Sequence, residues 1–192
     1  MLKGWLERFR DRNAATLTFD YFLERFEYHD KEVKKRAISN FVINFRKSYR
    51  LTKRVLTELW FSSTDTFSGK TPSDKIFDQI CMFMDDILKS LNEAQDKTIV
   101  IQAVHLGWAL GLFLGIVEYG LTAPPFSDIE KKKQRKIMDY TAEIKKKMIE
   151  LDKHIKPEFV AKRFEKIASE HAGGLSEQQQ YLIATIAEIF AS

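Results

Sequence analysis

Histidine, cysteine and acidic side chains are the groups in this chain that could carry chemistry, and their spacing limits what that chemistry is. A zinc-protease helix needs two histidines four residues apart with a glutamate between them, and a di-iron bundle needs Glu-x-x-His pairs. The four histidines stand at positions 29, 105, 154 and 171, which satisfies neither pattern. We therefore expect no metal, no cofactor and no catalytic residue, and the sequence favours a protein that is not an enzyme.

Three aspartates on one predicted helix are the remaining candidates for metal chemistry. Asp74, Asp78 and Asp85 could bind Mg²⁺ and a diphosphate, but such a site needs a second acidic cluster facing the first. No facing set is evident in the sequence, so we interpret these acids as a solvated face that also complements a basic helix. Cys81 lies among them, and neighbouring negative charge is expected to raise the pKa of its thiol rather than activate it.

A predicted helix over residues 31–61 carries cations in a line. Arg36, Lys47, Arg50 and Arg54 fall at offsets of 0, 11, 14 and 18 residues, close to one line along a helix. We call these four residues the basic stripe. A solvated or intramolecularly neutralised face, an acidic protein partner, nucleic acid and lipid headgroups would each account for this pattern, and the sequence leaves them open.

The C-terminal helices resemble a helix-turn-helix unit in outline only. A glycine turn separates Ile167 and Ala168 from a final helix that carries Gln178, Gln179 and Gln180 but no Lys or Arg. Because DNA binding needs nearby cations, we predict a plain helical hairpin and regard nucleic acid as an unlikely partner.

The segment 99–121 is the most apolar part of the chain, and its glycines at 107, 111 and 115 are four residues apart. On a helix, Gly107, Gly111 and Gly115 form a smooth groove that another helix can approach closely. Each interior glycine costs roughly 1 kcal/mol of helix stability against alanine, so close packing must offset the loss. Another helix of the fold, a second copy, a different protein or a bilayer would fill the groove. We favour a buried central helix.

Helix start and stop signals along the chain predict about eight helices, which position these residues. Short amphipathic helices are expected over residues 1–12 and 19–26, followed by helices over 31–61, 72–93 and 99–121, with a loop at 62–71. Asp30, Thr71 and Ser176 are predicted N-caps. A capping box at Ser127 and Glu130 is predicted to open the next helix, and two further helices follow Pro157.

Composition favours a single all-α domain covering residues 1–192, a bundle built around the glycine-spaced helix. The chain of 192 residues is 44% hydrophobic and 30% charged, with eight glycines, four prolines and no regular alternation of apolar and polar residues. Its one cysteine rules out an internal disulfide and fits a reducing compartment. The first twelve residues interleave charges with apolar residues, unlike a signal peptide. We expect a cytoplasmic location, including the periphery of a membrane.

From these observations we predict a non-catalytic helical protein-interaction or regulatory module with a protein partner and a capacity for self-association. Two alternatives stay open. One is a membrane-associating protein that buries or inserts the 99–121 helix, and the other is a nucleic-acid-binding accessory protein that uses the basic helix 31–61.

Overall fold

The structure is a computed structural model that describes residues 29–151, 158–171 and 173–192. Within those ranges the chain is helical and has no β-strand, so the predicted all-α class is confirmed. The α-helices are α1 (Lys31–Trp60), α2 (Pro72–Glu93), α3 (Ile99–Gly115), α4 (Lys131–Leu151), α5 (Glu158–His171) and α6 (Glu177–Ala191). A π-helix, Ile116–Leu121, continues α3, and a 3-10 turn, Pro124–Phe126, follows it. The helices predicted at 1–12 and 19–26 lie outside the described residues.

Side-chain caps define where three of these helices begin, as the sequence predicts. The Asp30 carboxylate accepts a hydrogen bond from the N–H of Glu32 at 2.9 Å and so opens α1. Thr71 and Asp74 form a reciprocal capping box with Pro72 at the first position of α2. Ser176 and Gln179, the third residue of α6, do the same for α6. These caps satisfy N–H groups that helices leave unpaired at their first turn.

The predicted capping box at Ser127 and Glu130 is wrong, since α4 begins only at Lys131. Tertiary contacts hold the residues before it in a non-helical form. The Ser127 carbonyl accepts a hydrogen bond from the Ser176 hydroxyl at 2.7 Å, and the buried Gln134 side chain donates to the Ile129 carbonyl at 2.8 Å. Ile129 is also buried in the core. A helix that began before Ile129 would not by itself place this side chain in the core.

The glycine groove of α3 is occupied by α1. A methyl group at Gly107 would collide with the backbone of Phe41, and one at Gly111 would collide with Ser48. At Gly115 it would lie 2.6 Å from the Cβ atom of Thr52. The two helix backbones therefore approach closely because glycine faces small or backbone groups at each contact.

Small polar residues of α1 complete this contact without leaving polar atoms unpaired. Ser48 and Thr52 are fully buried, and their hydroxyl groups donate to carbonyls of their own helix, at 3.2 Å to Phe45 and 2.7 Å to Ser48. Such back-bonding satisfies a buried hydroxyl while keeping the side chain short. The contact between α1 and α3 is thus sterically exacting.

The other helices of the described chain contact this pair and one another. Helix α2 contacts both α3 and α4, whereas α6 contacts α4 and α5. Residues of α4 that alternate at spacings of four and three are buried inside the fold, namely Ile137, Thr141, Ile144 and Met148. Rings of Phe113, Phe164 and Phe190 meet at centroid distances of 5.4 to 5.7 Å and join α3 to the C-terminal hairpin.

Ile99–Leu121 is, within the described residues, a helical segment long and apolar enough to cross a membrane. Its most apolar stretch is 61% buried by the other helices. A buried core helix has the same length and composition as a membrane span, so these two properties alone do not identify a membrane protein.

Candidate functional site

The basic stripe lies on the outer face of α1, opposite the glycine contact. Arg36, Lys47, Arg50 and Arg54 are all exposed. The spacing from Arg36 to Arg54 is eighteen residues, which is about five turns of an α-helix, so the first and last cations share one direction. The tertiary structure therefore leaves this line of positive charge on the surface.

A shallow groove of about 480 Å³ runs along the middle of the stripe. We call it the outer groove. It is lined by Ile43, Arg46, Lys47, Arg50, Leu51 and Arg54. Ile43 is 41% exposed, and Leu51 beside it is half-buried. The groove thus combines an apolar floor with cations on its rim.

The acids of α2 do not neutralise the stripe. Asp78 pairs with Lys70 at 2.7 Å, and Asp74 pairs with Lys133 at 2.6 Å. Where the structure describes both partners, no ion pair involves any member of the basic stripe. The acidic helix therefore complements α4 and its own preceding loop, and the positive charge of α1 faces outwards.

The three candidate aspartates of α2, Asp74, Asp78 and Asp85, each have a different partner. Asp85 accepts a hydrogen bond from the Tyr140 hydroxyl at 2.7 Å, and the pKa of Tyr140 is raised to about 12 by burial and by that carboxylate. The Lys133 ammonium and the Thr71 cap hold the pKa of Asp74 well below its usual range. Among the described residues, no three His, Cys, Asp or Glu side chains are grouped closely enough to hold a metal ion.

Cys81 lies half-buried beside these acids. Burial raises the pKa of its thiol, and the charges of Asp78 and Asp85 raise it further. The predicted direction of this shift is confirmed, although burial rather than neighbouring charge is the larger cause. A thiol with a raised pKa is a poor nucleophile at neutral pH.

A polar cluster that the sequence did not single out lies where α1 meets the π-helix. The Tyr49 hydroxyl donates to the Glu118 carboxylate and lies 3.2 Å from the Tyr119 hydroxyl. Arg163 of α5 places a guanidinium nitrogen 3.8 Å from Glu118 and another 4.0 Å from Glu170. We call these five residues the polar cluster. π-Helical segments are frequent at functional positions, which makes the cluster a candidate site.

The electrostatics of the polar cluster favour a structural role. Burial and the hydrogen bond to Glu118 raise the pKa of Tyr49 far above its usual value, so its hydroxyl stays protonated and serves as a donor. Only 2% of the Arg163 side chain is exposed, and its Nε and one terminal nitrogen have no hydrogen-bond partner in the described part of the chain. A protonated tyrosine and a buried ion pair anchor the π-helix rather than transfer protons.

One signal in the sequence could have located this cluster. Glu118 is the sole acid between Ile99 and Leu121, and a lone acid in an apolar helix requires a buried partner. The identity of the partner, Arg163, could not be deduced, because it lies 45 positions away on a helix with other cations.

The glutamines of the C-terminal helix differ in burial and in hydrogen bonding. The side-chain amide of Gln179 is buried and donates to the carbonyls of Leu121 and Ala123 at 2.8 and 2.9 Å. It therefore ties α6 to the end of the π-helix and cannot contact a base. Gln178 and Gln180 remain exposed.

Comparison of the chain with protein-family models, with curated proteins and with solved structures finds no match.

Proposed function

We propose that the chain is a non-catalytic protein-interaction module that holds an acidic segment of a partner protein along the basic stripe. The observation that supports this proposal is the outer groove, where Ile43 is exposed beside three exposed cations that form no ion pair within the described residues, namely Lys47, Arg50 and Arg54. A helix in a groove is a common mode of peptide recognition, and it needs both an apolar contact and charges of the opposite sign.

The apolar floor of the groove favours a protein partner over nucleic acid. Phosphate groups would engage Lys47, Arg50 and Arg54 but would leave Ile43 and Leu51 in contact with water. An acidic amphipathic helix satisfies both features, because its glutamates face the rim while one row of aliphatic side chains covers the floor.

We further propose that the whole chain is one domain of about eight helices with the glycine-spaced helix at its centre. The helix Ile99–Leu121 packs against the inner face of α1. Because α1 is one continuous helix, the cations of the stripe lie along its outer face at a constant spacing. We also propose a cytoplasmic location for this module, consistent with a single free cysteine.

A direct test uses a fluorescein-labelled peptide of roughly 18 residues, about five helical turns, designed with glutamates on one face and leucines on the other. Binding is measured by fluorescence anisotropy at about 50 mM salt, where charge interactions are weakly screened. Arg50→Glu combined with Arg54→Glu is expected to weaken binding at least about a hundredfold, since each reversal costs more than about 1.4 kcal/mol.

A charge-matched control separates local recognition from net charge. Lys89→Glu combined with Lys162→Glu changes the net charge by the same amount at exposed positions of α2 and α5. This control should bind the peptide nearly as well as the original chain. Equal weakening by both double variants would contradict the proposal, because the peptide would then respond only to overall charge.

The floor of the groove is tested separately with Ile43→Ser. We expect this change to weaken binding of the amphipathic peptide about tenfold and to leave binding of an all-glutamate peptide unchanged. If a short DNA duplex instead binds more tightly than either peptide, with a steep salt dependence and no response to Ile43→Ser, the nucleic-acid alternative replaces this proposal.

A further inference from the structure

The loop of residues 61–71, between α1 and α2, displays the two most exposed aromatic side chains of the described residues. Phe61 is 89% exposed and Phe67 is fully exposed. We call this segment the aromatic loop. Neither ring is buried by the fold, so neither contributes the apolar burial that normally explains a phenylalanine.

Hydrogen bonds hold the tip of the aromatic loop in one shape. The Asp65 carboxylate accepts from the N–H groups of Phe67 and Ser68 at 2.8 and 3.3 Å. Gly69, at a φ of 69°, donates to the Asp65 carbonyl at 2.8 Å, a left-handed conformation that favours glycine. Binding through Phe67 therefore does not require the loop to be ordered first.

The aromatic loop continues the line of the outer face of α1. Phe61 follows Ile43 by eighteen residues, about five turns, and it follows Arg50 and Arg54 by eleven and seven. Arg50 and Arg54 form no ion pair within the described chain, and Phe61 follows them on the same face of α1. Phe67 follows Phe61 by six residues in the same loop. This order of charge and apolar surface is typical of segments that lie at a membrane interface.

We propose that Phe61 and Phe67 dock on an anionic phospholipid surface, with Arg50 and Arg54 at the level of the headgroups. Small hydroxylated residues surround Phe67, namely Thr64, Thr66 and Ser68. A protein hot spot is normally ringed by larger side chains that exclude water, whereas a narrow aromatic tip suits the boundary between headgroups and acyl chains. The positive charge beside the rings complements anionic lipid and selects it over neutral lipid.

This mode of attachment leaves the core intact. The glycine-spaced helix Ile99–Leu121 stays packed against α1, so no apolar helix has to leave the fold to reach the bilayer. Attachment is then peripheral and reversible by salt, unlike the insertion of a spanning helix.

The test is flotation of the full chain with vesicles of phosphatidylcholine, with or without roughly 30% phosphatidylserine. The chain should float with the anionic vesicles at low salt and stay in the dense fraction with neutral ones. Phe61→Ser combined with Phe67→Ser should lower the partition coefficient at least about tenfold, since a tenfold change needs only about 1.4 kcal/mol. Arg50→Glu combined with Arg54→Glu should lower it as well.

The matched control is Met82→Ser combined with Tyr181→Ser, two side chains that are each 62% exposed elsewhere on the surface. This control should float as well as the original chain. Absence of flotation, flotation retained by the phenylalanine variant, or vesicle binding that resists high salt would each overturn the proposal.

The experiments distinguish failure of the lipid proposal from failure of the protein-recognition proposal. The acidic peptide binds in the outer groove, so the Phe61→Ser, Phe67→Ser variant should retain full peptide affinity. Peptide binding without flotation overturns the lipid proposal alone, and flotation without peptide binding overturns the protein proposal alone.

Discussion

The inner and outer faces of α1 belong to one helix but obey different constraints. The inner face presents Phe41, Ser48 and Thr52 to the glycines of α3 at backbone contact distance. The outer face presents the basic stripe to solvent, with no ion-pair partner among the residues described. Substitutions on the inner side of this helix are therefore expected to affect stability, and those on its outer side are expected to affect binding.

The polar cluster lies at the boundary between these faces. Tyr49 is partly buried, contacts Glu118 of the π-helix, and stacks against Phe45 with ring centroids 6.0 Å apart. Trp60, near the end of α1, donates its indole N–H to the Tyr119 carbonyl at 2.7 Å. These contacts hold the outer face at a defined angle to the core, so they link stability to the presentation of the stripe.

The largest effect is expected at the inner face, from Gly111→Val. A branched side chain there collides with Ser48 and with the backbone of Phe45, which rotamer changes cannot relieve. We expect a loss of about 4 kcal/mol in the free energy of unfolding, measured by urea denaturation, with Gly111→Ala losing about 2 kcal/mol. The alanine loss is smaller because a helical alanine regains about 1 kcal/mol over glycine.

The control for this prediction is Gly173→Ala. A methyl group at Gly173 meets no atom within 4 Å, so the change should alter stability by less than about 0.5 kcal/mol. If Gly111→Ala were also neutral, the close approach of α1 and α3 could not be the main constraint on the inner face.

An intermediate effect is expected at the boundary, from Glu118→Ala. The change removes the acceptor of the Tyr49 proton and the nearer carboxylate of the buried Arg163. Breaking a buried ion pair costs about 3 to 5 kcal/mol, and we expect a loss at the lower end of this range in urea denaturation, because Glu170 still faces the guanidinium. Adding Arg163→Met to Glu118→Ala should restore part of the stability, because the buried positive charge is then gone.

A double-mutant cycle makes this prediction quantitative. Coupling between Glu118 and Arg163 of more than about 1 kcal/mol supports the buried ion pair. Additive losses would show that the two side chains act independently and that Glu170 alone compensates the guanidinium.

The smallest effect on stability is expected at the outer face, from Arg50→Glu combined with Arg54→Glu. Both side chains are exposed and lack ion pairs within the described ranges, so reversal should change the free energy of unfolding by less than about 0.5 kcal/mol. Thermal denaturation followed by circular dichroism checks this result. A loss above about 2 kcal/mol would mean that the stripe stabilises the fold, and the comparison of the two faces would fail.

The local features of the fold were predictable from residues close in sequence. Thr71, Pro72 and Asp74 define the start of α2, and Asp30 defines the start of α1, because a cap satisfies N–H groups two or three positions away. The same reasoning was wrong at Ser127, where the Ser176–Ser127 and Gln134–Ile129 hydrogen bonds outweigh a local capping signal.

The candidate surfaces were predictable only in part. The spacing of Arg36, Lys47, Arg50 and Arg54 places them on one helical face, and this follows from helix geometry alone. The exposure of Phe61 and Phe67 did not follow, because a phenylalanine in a short loop is as compatible with a buried anchor as with an exposed tip. The pairing of Glu118 with Arg163 did not follow from the sequence either, because it joins helices that are distant in the sequence.

By itself, the sequence determined the helical class, most helix starts and the glycine groove, because each depends on hydrogen bonds or steric contacts within a few residues. Tertiary structure alone decided which helix fills that groove, which aspartates pair with α4, and which cations remain without partners. These outcomes depend on the relative positions of whole helices, which many weak contacts between distant residues determine together.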